Sequence, residues 1–236
     1  LTTEVEKRIM KKPFAAITVF ILISCQSTPE EHFNRAKDLI KIGEYNLAIK
    51  ELNDAITKKS DYAAAYLERG KSILSIKDYS YSKGDTNYFA NKLLSAADDF
   101  TRAIELSNNL KAEALDLRSS IYWMRKEYKK AEADLESLLS IDSSNYRIIT
   151  ILANAKVMLG DSSGVKNLFD AIIKREPENA EAYYGRALGR LVLLNDKKGG
   201  CEDLNKAEKL YNPNKKYSTN FLLPQMKELK RINCNQ

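Results

Sequence analysis

The chain has 236 residues, 44% of them hydrophobic and 30% charged, with a formal net charge of +6. This composition excludes a disordered or collagen-like chain, and nine glycines and five prolines are too few for the turns of an all-β fold. The positive excess sits in lysine pairs interleaved with acids (Lys58-Lys59, Lys129-Lys130, Lys197-Lys198, Lys215-Lys216). No basic stripe is there to track a phosphate backbone, so no nucleic-acid partner is expected. The first element is a short positive segment, Met10-Lys11-Lys12, followed by an eleven-residue apolar run over 14–24 and then Cys25. The run is too short to span a bilayer and fits the core of a signal peptide occupying 1–24, with Met10 as the expected true start. Residues 25–28 form a short linker.

An internal repeat follows. Small residues recur at Ala36, Gly70, Ser119, Ala153 and Ala187, spaced 34, 49, 34 and 34. A second compact set is Ala48, Ala96, Ala131, Val165 and Gly200. Larger apolar residues stand four positions later, at Leu52, Phe100, Leu135, Phe169 and Leu204, and a fourth set is Ala55, Ala103, Leu138, Ile172 and Ala207. Within each unit two helical-period patterns flank a polar break, such as Gly43-Glu44-Tyr45, Lys126-Glu127-Tyr128 or Gly160-Asp161-Ser162. Small residues mark places where helix axes cross closely, and the large ones fill the space beside them. One hairpin cannot bury its apolar face alone, so the units must stack. The reading is all-α: five units at 29–62, 63–110, 111–145, 146–179 and 180–214, then a capping helix within 215–236.

The second unit is longer by about 14 residues, with the insertion near 78–92. Two additional turns on each helix, around a break at Lys83-Gly84-Asp85, would make the hairpin protrude by roughly 10 Å. Tyr79, Tyr81, Tyr88 and Phe89 would then either meet a partner or pack the longer hairpin on its neighbours, the alternative being an irregular loop over 78–92. After Pro213 the last helix is expected over about 220–233, with Leu222, Leu223, Met226, Leu229 and Ile232 on its apolar side and Pro224 tolerated in its first turn.

With these columns in place, the chain resembles the tetratricopeptide repeat (TPR) family, with Pro177 on that family's late proline position. The first unit departs from it most, carrying Arg35 where the family prefers leucine. The resemblance implies a right-handed α-solenoid whose first helices line a concave groove for an extended or helical peptide. On this sequence the matching inward positions are Phe33 and Lys37; Leu67, Lys71 and Leu74; Asp116, Ser120 and Trp123; Thr150, Asn154 and Val157; and Tyr184, Leu188 and Leu191. Trp123 fits either the core or the groove. Some members clamp a chaperone's terminal carboxylate with lysine and asparagine, but Phe33 and Lys37 stand where that clamp begins, so the role is not expected here.

Leu22-Ile23-Ser24-Cys25 resembles a bacterial lipobox, which implies a diacylglycerol on Cys25 and cleavage before it. A lipid on one cysteine anchors a chain without a spanning helix. Gln26, rather than aspartate, follows the cysteine, and in some bacteria this favours the outer membrane. Export permits disulfides. A capping helix antiparallel to the one beginning at Cys201 would bring Cys234 beside it, so a Cys201–Cys234 bridge is expected, the alternative being two buried thiols. The segment around Cys201 also resembles the last repeat of many exported repeat lipoproteins, where such a pair is common.

Chemistry is not expected. His32 is the one histidine, which rules out a Cys/His metal cluster. Gly199-Gly200 lacks the lysine and hydroxyl of a phosphate loop. Asp98-Asp99 and Glu202-Asp203 are sequence neighbours on helices and diverge around the axis. The expectation is a protein without cofactor or metal that is not an enzyme. It would be a membrane-anchored adaptor of the bacterial envelope binding a protein or peptide, the alternative being an accessory subunit that captures a glycan or peptide for uptake.

Overall fold

The computed structural model describes residues 27–76, 86–212 and 222–234. These residues hold eleven helices: α1 (Pro29–Lys41), α2 (Tyr45–Lys58), α3 (Ala63–Ser75), α4 (Thr86–Leu106), α5 (Lys111–Met124), α6 (Tyr128–Ile141), α7 (Tyr146–Met158), α8 (Ser162–Arg175), α9 (Ala180–Val192), α10 (Lys197–Leu210) and α11 (Leu222–Cys234). Each packs on the next, making five hairpins and a cap in an all-α solenoid. The lipobox and its cysteine lie outside the described residues. No described helix is long and apolar enough to cross a membrane.

Local chemistry sets the helix ends. Thr28 and Glu31 form a reciprocal capping box on α1, each accepting from the other's backbone N–H at 3.1 Å. Asn145, Asp161, Asn179 and Asp196 cap α7, α8, α9 and α10 by accepting from the amide three residues on. The hairpin turns share one device: Gly43, Lys126, Gly160 and Asn195 occupy the same position and all have positive φ. In three of these turns the next amide, of Glu44, Glu127 or Asp161, donates to the carbonyl five residues back, closing the first helix.

The repeat columns are the core. Ala36, Ala48, Leu52 and Ala55 are fully buried, as are Ala96, Phe100 and Ala103, and the equivalents in later hairpins are buried too. Gly70 shows why small residues mark the crossings, because a Cβ there would lie 2.7 Å from the Phe100 ring.

A second pattern joins the hairpins. The residue before the first small marker is arginine in four units, and the residue before the large apolar marker is an acid in the same four. Arg69 grips Asp99, Arg118 grips Asp134 and Arg186 grips Asp203, each through two N–H···O bonds. The third nitrogen of each arginine reaches the preceding hairpin, where it donates to Asn53, Thr101 and Asp170 at 2.7, 2.8 and 2.6 Å. Arg35 bonds its acid, Glu51, through one nitrogen at 2.9 Å and turns another to His32 of its own helix. Arginine at this place is therefore not peculiar to the first unit: three further units carry it, and the fourth has Leu152 instead. In that unit the acid is also replaced, by Leu168, and both leucines pack into the core. Lys156, one turn later, then makes the joint to the preceding hairpin by donating to Glu132 and to Glu136.

The enlarged hairpin differs from the expectation. Helix α3 has 13 residues, like α1, α7 and α9, and stops at Ser75 because Ile76 turns extended. Helix α4, with 21 residues where the other second helices have 14, takes about half of the added length, and the rest falls on 77–85, outside the described residues. Ala96 is its eleventh residue, whereas the matching residues of α2, α6, α8 and α10 are fourth, so α4 starts about two turns early. The neighbours hold these turns: Phe89 packs on the second hairpin's core, and Arg125 donates to the Ala90 carbonyl at 3.2 Å. Residues 83–85 lie outside the described ones.

Helix α11 covers the end of the stack. Leu222 and Met226 are buried against Ala187, Leu204 and Ala207, while Ile232, expected on the same face, is exposed. A disulfide joins Cys201 to Cys234 with their Cα atoms 5.8 Å apart.

Candidate functional site

The residues expected to line one groove on the first helices separate into four groups. Leu67 is buried in the core with Phe100, Leu74 packs on that core, and Leu191 lies on the opposite side, over Gly200. Phe33 stacks near Tyr62, and Trp123 meets Tyr128 of its own hairpin edge-on with centroids 5.2 Å apart, so both mainly pack their hairpins. Lys37 lies over the Phe33 ring, Lys71 bonds to Glu68 and Glu113, Asp116 bonds to Arg147, and the Ser120 hydroxyl donates to the Asp116 carbonyl. These four make the polar face of the first three units. Tyr79 and Tyr81 lie outside the described residues; Tyr88 is exposed and Phe89 half-buried.

The fourth group comes together. Thr150, Asn154 and Val157 of α7 face Tyr184 and Leu188 of α9 across a cavity of about 570 Å³. Tyr146, Arg147 and Ala153 complete the α7 wall, Glu181 and Val192 the α9 wall, and Leu222 of the cap closes one end. The floor consists of Val165 and Phe169 of α8, with Gly185 and Gly189 beside them. Volume and lining are those of a ligand site: mostly apolar, with few polar groups at the rim.

Two glycines explain why this junction differs. Gly185 and Gly189 hold the positions of Leu117 and Ile121 in α5 and of Ile151 and Ala155 in α7. A Cβ on Gly185 would lie 2.2 Å from the Phe169 ring, and one on Gly189 2.7 Å from Val165. Without side chains, α9 settles onto α8, and the Phe169 and Val165 side chains become the cavity floor. The leucine pair of the fourth hairpin adds to this, since no Arg–Asp pair stands in its interior.

Burial, helped by the nearby Glu176 and Glu181 carboxylates, pushes the Tyr146 phenol well above its ordinary pKa, and burial raises Tyr184 as well. Both phenols therefore stay neutral. The Tyr184 hydroxyl points at Gln225 of the cap, 3.5 Å away.

At the other end of the stack, His32, Glu51 and Asp54 bring three potential metal-ligand atoms together. Arg35 bonds both Glu51 and the His32 Nδ1, so this cluster already contains its positive charge.

No known family model matches the chain, and no curated protein matches it. Solved structures do. YrrB, described as a TPR protein with an unusual peptide-binding site, superposes with a TM-score of 0.55 at 17% identity, over 84% of this chain and 91% of that one. The MamA protein gives 0.58 at 15% identity, over 81% and 96%. A MamA fragment from Desulfovibrio magneticus RS-1 gives 0.53 at 14%, over 78% and 96%. The chain has the tetratricopeptide-repeat fold. These likenesses are of fold, and the cavity is described from this chain's own residues.

Sequence reasoning missed Tyr146, Arg147, Glu181, Gly185, Gly189 and Val192. For the glycines the signal was present: in the fifth unit two glycines stand in columns that hold Leu117, Ile121 and Ile151 elsewhere.

Proposed function

We propose that the protein is a lipid-anchored adaptor of a bacterial cell envelope that holds a segment of another polypeptide between α7 and α9. The observation that carries this is the cavity of about 570 Å³, with its apolar floor and polar rim on the face of the first helices. Asn154 is exposed at the rim, where its carboxamide suits a peptide backbone. The peptide-binding site ascribed to YrrB, on a similar fold, supports the same use of this one. Anchoring and export rest on the lipobox-like Leu22-Ile23-Ser24-Cys25, and the Cys201–Cys234 disulfide fits an oxidising compartment.

A photo-crosslinking amino acid at Leu188, expressed in intact cells, tests the binding. Adducts with another polypeptide are expected there and not from Lys50 on α2. Equal or absent labelling at Leu188 would reject the site. Cys25→Ser, followed by membrane fractionation, tests the anchor: the variant should leave the membrane fraction, and retention there would reject lipidation.

A further inference from the structure

Two successive steps between first helices, α3 to α5 and α5 to α7, carry an ion pair across the groove face. Lys71 on α3 meets Glu113 on α5 at 3.1 Å, and Asp116 on α5 meets Arg147 on α7 at 2.7 Å. In repeat register, Glu113, Arg147 and Glu181 are one column. The next step, from α7 to α9, should bring a charge on α7 to Glu181. The α7 positions matching Lys71 and Asp116 are Asn154 and Thr150, and neither is charged. Glu181 therefore has no ion-pair partner among the described residues, and it stands in the wall of the cavity. Arg147, in the opposite wall, is already engaged by Asp116.

We infer that the cavity selects a polypeptide segment in which a large apolar side chain stands next to a basic one. The apolar side chain enters between α7 and α9 and rests on Val165 and Phe169. The basic side chain supplies Glu181 with the cation that α7 does not offer. Burying the apolar group gives most of the affinity, because that surface leaves water. The rim charge sets preference more than strength. An acidic neighbour would be repelled by Glu181, and Arg147 already has Asp116 as its counter-charge. The inference rests on reading the cavity as a polypeptide site and adds the chemistry of what it takes.

The test uses the purified full chain and three fluorescein-labelled peptides, GSGFKGSG, GSGFEGSG and GSGSKGSG, followed by fluorescence anisotropy. The Phe-Lys peptide should bind, the Phe-Glu peptide about fivefold more weakly, and the Ser-Lys peptide not measurably. Glu181→Lys should reverse the order of the first two. Leu188→Asp should abolish both, with circular dichroism melts of the variants matching the parent. Equal binding of the Phe-Lys and Phe-Glu peptides, or an order unchanged in Glu181→Lys, would overturn the charge preference and leave the polypeptide reading standing. Binding that ignores the Phe-to-Ser change would overturn the anchor. Binding of none of the three would overturn the inference and count against the polypeptide reading with it.

Discussion

Arg186 holds Asp203 by two N–H···O bonds of 2.9 and 2.6 Å and, with its remaining nitrogen, bonds Asp170 of the preceding hairpin at 2.6 Å. The Asp203 side chain is only 4% exposed and that of Arg186 16%. Asp203→Ala would leave a guanidinium in the interior without its main counter-charge and should cost about 3 kcal/mol, read from the urea midpoint. The double change Arg186→Leu with Asp203→Leu copies Leu152 and Leu168 of the fourth hairpin. It should recover part of that loss, because a packed apolar pair replaces the paired charge, while Arg190, which also bonds Asp203 at 3.0 Å, keeps the Gly199 carbonyl and Asp196. A double variant as unstable as the single one would show that the ion pair has no apolar equivalent here.

The joint between the third and fourth hairpins should weaken in acid. Burial works to raise the Glu132 carboxyl, but hydrogen bonds from Lys129 and Lys156 outweigh it and hold the pKa below the ordinary 4.5. A carboxylate depressed in the folded state stabilises fully above its unfolded value, and that contribution is lost as pH falls through the folded one. The stability difference between the parent and Glu132→Gln should therefore be constant from pH 7 to about pH 5 and shrink below about pH 4.5. A difference that grows on acidification would contradict the assignment.

Lys126 turns the third hairpin with φ +60, where Gly43 and Gly160 stand in the first and fourth. A side chain in the left-handed region crowds its own backbone, and glycine avoids that cost. Lys126→Gly should stabilise the protein by about 0.5–1 kcal/mol, seen as a raised melting temperature. Gly160→Ala should destabilise it by a similar amount.

The Cys201–Cys234 bridge spans 33 residues of sequence and fastens the far end of α11, whose first residue, Leu222, closes the cavity. Closing a loop of that length restricts the unfolded chain and contributes about 3–4 kcal/mol. Cys201→Ser with Cys234→Ser should lower stability by that order and raise amide exchange along α11 most. Exchange unchanged in α11 would mean that Leu222 and Met226 hold the cap alone.

Several of these features are legible in the amino-acid sequence by itself. The small and large columns define the five hairpins because period and residue volume are properties of the chain itself. Small residues must stand where axes cross, and Ala36, Ala48, Leu52 and Phe100 are buried as that rule demands. The cysteine pair follows from antiparallel packing of the last two helices and from the likeness to exported repeat proteins. The tertiary structure alone decided the rest. Leu67 and Leu191 sit in groove columns yet face the core, because the rotation of a helix about its axis depends on what its neighbours fill. The early start of α4 depends on Arg125, which comes from the next unit, and on packing into the second hairpin's core. The Arg–Asp lattice is written in the sequence as single residues before each marker, but its meaning lies in pairs 16 to 30 residues apart. The cavity exists because Gly185 and Gly189 let α9 settle onto Phe169 and Val165, a three-helix arrangement that no single helix encodes.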